Sequence, residues 1–258
     1  MKLQSFQPHI SIADYVDSIV VLEDENLSDC VIPLIAKGLP SIAFQLTGSS
    51  NNNGNTHLVL YGQNRKPFEF YASGHLTIIA YFLRPHVLNN LFGLDAYEAT
   101  DLAIDLSYTK PAKDSNLKEQ LLNAASLNTR LLLLNNYVLD LAGCIHTGIN
   151  KPVAHATEII QKSKGLVSLK NIHDELNVTE RTLQRMFEQH IGLSPKAFSK
   201  ICQFNSAFLQ VDSGAFSKLG DIAYQNGYAD QSHLIRVFKE FTNISPKEYL
   251  KQSSEFKD

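Results

Sequence analysis

Arg181, Gln184 and Arg185 fall within five positions of one another, and Ser232, Arg236 and Lys239 follow about fifty residues later. Arginine can pair with guanine through two hydrogen bonds and glutamine with adenine in the same way, so both groups are equipped to read base edges. Glu188, on the same side as the first group, could accept from cytosine. Ser194 with Lys196, and Ser245 with Lys247, suit a phosphate held at the open N–H groups of a helix start. Other chemistries lack their residue sets. His57, His75 and His86 invite a metal, but no H-x-H or H-x-x-x-H pattern with a nearby carboxylate surrounds them. Cys30, Cys144 and Cys202 lie far apart and form no C-x-x-C pair, so neither zinc nor a disulfide framework is expected and the thiols are read as reduced. A nucleophile elbow, a P-loop and a dinucleotide fingerprint are missing as well. No catalytic residue, metal or cofactor is therefore assigned.

The element that must position the base-reading residues is written twice. "TLQRMFEQHIGLSPKAF" runs from Thr182 to Phe198, and "HLIRVFKEFTNISPKEY" from His233 to Tyr249, with matching positions at an offset of 51. In the first copy Leu183, Met186, Phe187 and His190 fall at i, i+3, i+4 and i+7, which is one buried helix face. Leu234, Val237, Phe238 and Phe241 take those places in the second. A helix whose apolar face is fixed in this way turns Arg181, Arg185 and Glu188 outward, with Gln184 on the flank. The second copy presents Ser232, Arg236 and Lys239, with Ile235 on the flank. Ahead of the first of these helices the pattern predicts a helix over Leu169–Leu176, a turn at Asn177-Val178 and an N-cap at Thr179. Gly192 and Asn243 follow the two helices where a left-handed C-cap is required. Ser194-Pro195 and Ser245-Pro246 then supply a hydroxyl N-cap and a proline already set for the first helical position. Each copy is a helix-turn-helix, at about 169–190 and 218–241. Between them Phe198, Ile201, Phe204, Phe208 and Val211 keep a helical stripe, a rod of roughly 24 Å at about 1.5 Å per residue. Such a rod would hold two reading helices in successive major grooves, which recur about every 34 Å.

At this point the residues meet a family. "IAYQNGYADQSHLIRVFKEFTNISPKEY", Ile222 to Tyr249, follows almost throughout the signature I-A-x-x-x-G-(Y/F)-x-D-x-S-(Y/H)-(L/F)-x-R-x-F-K-x-x-x-x-x-S-P-x-x-Y of the AraC/XylS transcription regulators, and the segment from about 155 to 252 resembles their DNA-binding domain. The resemblance implies two helix-turn-helix units joined by a linker helix, double-stranded DNA as partner, and an N-terminal domain that senses a small molecule or mediates association. RNA polymerase and a second copy in a homodimer are further partners it allows. The stretch "YFLRPHVLNNLFGLDAYEATDLAIDL" is similar to the N-terminal domain of one AraC subgroup, for which no ligand is known. The chain also departs from the pattern. Gln203 replaces the arginine that usually opens R-F-N-x-A, His173 stands where a small alanine is usual, and Ile235 replaces a residue that is often serine.

The N-terminal part reads differently. "DSIVVLE", "SIAFQLTG", "THLVLYG", "PFEFYAS" and "LTIIAYFL" are short β-branched and aromatic runs separated by Gly, Pro, Asn and Ser, which predicts an antiparallel sandwich, roll or barrel. "TGSSNNNGNT" reads as a mobile hairpin loop. "RPHVLNNLFG" reads as a short helix opened by Pro85 and closed by Gly93, with further helices near 114–126 and 129–147. Lys151-Pro152 then marks a boundary. The expected architecture is α+β in two domains: residues 1–150, an antiparallel β-rich sandwich or barrel with flanking helices after about residue 84, and residues 151–258, an all-α double helix-turn-helix of homeodomain-like type. Phe44, Tyr61, Phe70, Tyr71 and Tyr81 are the aromatics that could line an effector pocket, and equally ordinary core residues. The leucine-rich "NTRLLLLNNYVLDLAGCIH" could pack between domains or form a dimer seam.

Composition bounds these readings without selecting among them. Residues 151–258 carry 14 Lys and Arg against 12 Asp and Glu, and residues 1–150 carry 9 against 14. That asymmetry permits DNA binding but does not announce it. The weak positive charge predicts modest non-specific affinity, which scales with phosphates neutralised. No apolar run reaches membrane-spanning length, and the start has no signal-peptide core, so a cytoplasmic address is expected. Two other readings are open: a β-barrel metal-dependent enzyme or sensor, and a helical part that binds a protein partner.

Overall fold

A computed structural model of the chain describes residues 2–35, 37–48, 55–144 and 148–257. Its N-terminal part is one antiparallel sheet of six strands, β1 (Lys2–Phe6), β2 (Val16–Leu34), β3 (Ser41–Gly48), β4 (Asn55–Tyr61), β5 (Phe68–Leu83) and β6 (Ala103–Asp105), in the order β1-β2-β5-β3-β4-β6. Alternation sorts its residues between two faces. Ile19 and Val21 of β2, Ile42 and Phe44 of β3, Leu58 and Leu60 of β4, and Ile79 and Tyr81 of β5 enter the main core. Leu22, Leu76 and Ile78 turn the other way and form a small second cluster with Ala72, Leu27 and Phe70.

Two runs expected as separate strands, "PFEFYAS" and "LTIIAYFL", are the single strand β5. Gly74 between them has φ +73° and pairs with Leu27 where the β2–β5 register shifts. The glycine that suggests a turn is instead absorbed as a bulge, which bends a strand without ending it. β2 likewise runs well past "DSIVVLE", and β1 and β6 add edges that the sequence pattern did not mark. The polar segment expected to turn between β3 and β4 lies, at 49–54, outside the described residues.

Helices α1 (Leu88–Phe92), α2 (Ala96–Ala99), α3 (Lys110–Asp114), α4 (Leu117–Asn123) and α5 (Leu127–Cys144) follow the sheet. Gly93 ends α1 with φ +65° as expected, but α1 starts at Leu88, because Arg84, Pro85 and His86 are taken up in a turn closed by the Val87 N–H on the Arg84 carbonyl (3.3 Å). Of the helix expected over 114–126 only the shorter α4 forms, because Asn116, whose φ of +51° leaves the helical region, separates it from α3, which ends at Asp114. α5 covers the core face of the sheet. The buried Tyr81 hydroxyl ties the two together by donating to the Leu131 carbonyl (3.0 Å) and Asn135 Oδ1 (2.9 Å).

The C-terminal part is helical: α6 (Lys151–Lys162), α7 (Leu169–Leu176), α8 (Glu180–Ile191), α9 (Pro195–Asp212), α10 (Leu219–Gln225), α11 (Gln231–Thr242) and α12 (Pro246–Lys257). Its core gathers around α9, whose Phe198, Ile201, Phe204, Ala207 and Val211 are buried against Leu183 and Phe187 of α8 and Leu234, Val237, Phe238 and Phe241 of α11. The rings of Phe187 and Phe198 meet at 6.0 Å and those of Phe204 and Phe241 stack at 4.8 Å. The two parts touch. Ile35, just past β2, packs against the helical core, and Asn205 of α9 donates to the Lys37 carbonyl (2.7 Å). Thr100, at the end of α2, donates to the Gly192 carbonyl at the end of α8 (3.0 Å).

Candidate nucleic-acid interface

The first unit is built by local chemistry that fixes every end. Ser168 caps α7 by accepting from the Asn171 N–H (3.3 Å), and Asn177 closes it with φ +51°. Thr179 caps α8 by accepting from the Thr182 N–H (3.2 Å), and Gly192 closes it with φ +82°. With Leu183, Phe187 and Ile191 buried, the opposite side of α8 is left to Arg181, Gln184 and Arg185, all exposed, and to Glu188, half-buried. These four residues and Thr182 bound one shallow open depression. Gln184 donates to Glu188 Oε1 (3.0 Å), a link one helical turn long that holds the glutamine across the face. Neither that link nor Thr182 was read from the sequence, although Gln and Glu at i, i+4 is a visible signal for the first.

The second unit repeats the plan with different caps. Asp230 accepts from the His233 N–H (2.7 Å) to start α11, and Asn243 ends it with φ +64°. Ser232, Arg236 and Lys239 are exposed, and Ile235 is half-buried on the flank. Lys200 of α9 grips both carboxylate oxygens of Glu240 (2.6 and 2.7 Å), so α11 is pinned to the connecting helix one turn beyond its arginine. The helix starts that follow each unit are capped too. Ser194 accepts from the Ala197 N–H (3.2 Å). Ser245 accepts from Glu248 N–H (3.3 Å) while Glu248 accepts from Ser245 N–H (2.7 Å), a reciprocal capping box. The Ser245 hydrogen bonds hold the exposed Glu248 carboxyl below its ordinary range. Lys196 and Lys247 are exposed in the first turns of α9 and α12.

A family model described as a helix-turn-helix domain matches residues 172–252, which spans both units, and a second, described as a domain of unknown function (DUF6597), matches residues 4–105. Residues 172–252 form an AraC-type helix-turn-helix domain. An uncharacterized HTH-type transcriptional regulator of Haemophilus influenzae is 29% identical over 96 residues, 37% of this chain and 32% of that protein. The HTH-type transcriptional regulator MtrA of Neisseria gonorrhoeae is 24% identical over 131 residues, 48% of this chain and 43% of that protein. The matches thus span less than half the length of either relative. ToxT of Vibrio cholerae shares the fold of the whole chain, with a TM-score of 0.51 at 14% identity, covering 97% of this chain and 98% of ToxT. ToxT has also been solved bound to (E)-4-(8-methylnaphthalen-1-yl)but-3-enoic acid.

The departures of this AraC-type domain acquire structural meanings. Gln203 faces inward and donates to the Asn226 carbonyl (2.8 Å), so it serves the turn between α10 and α11. His173 is half-buried on α7.

The other residues singled out in the sequence are not brought together. Phe44 and Tyr81 are fully buried on the core face of the sheet, whereas Phe70 belongs to the cluster on the other face. Tyr61 also lies off the main core, where its hydroxyl accepts from Gln45 Nε2 (2.9 Å) and its ring meets Phe68 at 5.8 Å. Tyr71 is 71% exposed. These aromatics therefore do not line one pocket. His57 is exposed, His75 contacts Thr77 (3.3 Å) and His86 is buried, and among the described residues no three His, Cys, Asp or Glu side chains are placed to hold a metal. Cys202 is half-buried, and the desolvation of its thiol pushes it up to about 12, beyond the range of a reactive thiolate. No described helix is long and apolar enough to cross a membrane.

Proposed function

We propose that the chain is a sequence-specific DNA-binding transcription regulator that reads two neighbouring major-groove segments with α8 and α11. The observation that carries this reading is the pair of like units, each with its arginine-bearing face left exposed by its own core packing. In it Arg181, Gln184 and Arg185 read one box and Ser232, Arg236 and Lys239 the other. Ser194 with Lys196 and Ser245 with Lys247 hold phosphates at the starts of α9 and α12, which sets register without reading sequence. α9, with 18 residues, is about 27 Å long, a span compatible with grooves that recur about every 34 Å.

The N-terminal domain is the sensing or assembly part of this reading. A small-molecule effector, a homodimer and contact with RNA polymerase belong to it, as does a non-enzymatic role in the cytoplasm. The ligand-bound ToxT supports the idea of an effector only as a fold-level analogy.

The experiment is selection of bound sequences from a random DNA pool with the full chain, followed by the same selection with Arg185→Ala and Arg236→Ala. The wild type is expected to enrich two short boxes. Each variant is expected to lose about 1–3 kcal/mol of discrimination at one base pair, in a different box for each. Enrichment of no sequence by the wild type, or an unchanged profile for both variants, contradicts the reading.

A further inference from the structure

The connecting helix α9 joins the units by a peptide at each end, which fixes how far apart they are but not how each is turned about the helix axis. Apolar packing along α9 leaves small rotations open. A directional contact removes them; Gln203 of α9 carries one toward the second unit, and its backbone is closely approached from the other side. Gln203 donates through Nε2 to the carbonyl of Asn226, in the turn of the second unit (2.8 Å). Its backbone N lies 2.9 Å from where a Cβ on Gly165 would stand, in the segment that feeds the first unit. Asn226 is itself 1% exposed and anchored from its Nδ2 to Gln210 Oε1 (3.1 Å) on α9 and to the Ile222 carbonyl (2.9 Å).

The segment ahead of the first unit also meets the second unit beside this point. A Cβ on Gly227, whose φ is +70°, would stand 2.7 Å from Leu166 Cδ2 and 3.6 Å from Gln203 Nε2. Leu166 is 49% exposed, so it is not needed to fill the core, and its methyl group rests against the bare backbone of the opposite turn. Only glycine at 227 allows that approach.

We propose that Gln203, Leu166 and Gly227 form a joint that fixes the pose of one reader relative to the other, and so sets the number of base pairs between the two boxes. The inference rests on the DNA-reading function above. One base pair more or less turns the second box by about 35° and moves it by about 3.4 Å, so a rigid joint distinguishes neighbouring spacings and a loose one does not. Gln203 and Leu166 are positioning residues that touch no DNA.

The test uses the full chain and a DNA library in which the selected boxes are kept and the spacer length varies. The wild type is expected to prefer a single spacing by about tenfold over one base pair longer or shorter. Leu166→Ala and Gln203→Leu are expected to bind the same boxes but to accept neighbouring spacings within about threefold of each other. Gln203→Arg, which keeps a donor for the Asn226 carbonyl, is expected to restore the sharp preference. Far-UV circular dichroism checks that each variant is folded, and Leu166→Ala, at a half-exposed site, keeps the test decisive if Gln203→Leu does not fold. A wild type that tolerates all spacings, or folded variants as selective as the wild type, overturns the joint and leaves the DNA reading standing. A wild type that selects no boxes overturns both.

Discussion

Nδ1 of His86 is buried and meets no hydrogen-bond partner, in a residue only 7% exposed. Burial, with Arg84 and then His190 adding positive charge nearby, lowers its ring from 6.5 to about 4. The folded chain therefore keeps this ring neutral at a pH where the unfolded chain protonates it. Stability is unaffected above about pH 6.5, falls as the pH drops from there toward 4, and falls no further below that. At pH 5 the cost relative to neutral pH is about 2 kcal/mol. His86→Gln is expected to remove that share of the acid sensitivity, which thermal unfolding at pH 7.5 and pH 5 measures; an equal loss in both proteins excludes the ring as its source. This histidine shows how far single residues were legible. The outward direction of Arg185 and Arg236 followed from helical spacing alone, because the buried face of a helix is written within its own few turns. The burial of His86 depends on how its turn packs against the end of α8, and nothing local records it.

Among the elements, α9 carries the helical core. Phe204 meets Phe208 (5.8 Å), Phe238 (5.7 Å) and Phe241 (4.8 Å), so one side chain joins the connecting helix to the second reader. Phe204→Ala is expected to destabilise the helical part by about 3–5 kcal/mol, since removing a buried ring forfeits its transfer energy and leaves a cavity. Leu209→Ala on the same helix, at a site 66% exposed, is expected to cost about 0.5 kcal/mol or less. Urea denaturation followed by helicity compares the two, and equal losses would show that helix propensity rather than the ring cluster holds α9 in place. The sequence was most informative at this scale for helices and least for strands. Thr179, Ser194 and Gly192 mark helix ends because caps act within three or four residues. The strands depend on partners far along the chain, so Gly74 reads as a break until β2 is seen to carry the matching irregularity.

At the scale of the whole molecule, hydrogen bonds join the N-terminal part to the helical part at two separate places among the described residues. Thr100 Oγ1 donates to the Ala96 carbonyl (2.9 Å) and to the Gly192 carbonyl (3.0 Å), and Gly192 is so close that a Cβ there would lie 2.5 Å from the Ala96 oxygen. This places α2 against the end of the first reading helix. Asn205 holds the Lys37 carbonyl (2.7 Å), and Gly38 lies against Ile201, which places the chain after β2 against the connecting helix. The partners are 92 and 168 positions apart, beyond the reach of any local pattern, so neither contact was anticipated. If both belong to one rigid docking, they are not independent. Thr100→Val and Asn205→Ala are each expected to cost about 1 kcal/mol, and the double variant less than the sum, because the second contact has little left to lose once the domains separate. Small-angle scattering supplies the decisive readout, since the double variant is expected to expand in radius of gyration while its far-UV circular dichroism stays that of the wild type. Additive losses without expansion would mean that each contact trims its own domain and that docking is held elsewhere. Coupled losses with expansion would make the N-terminal domain mechanically continuous with α8 and α9, which is what any signal arriving at the sheet would need in order to reach the readers.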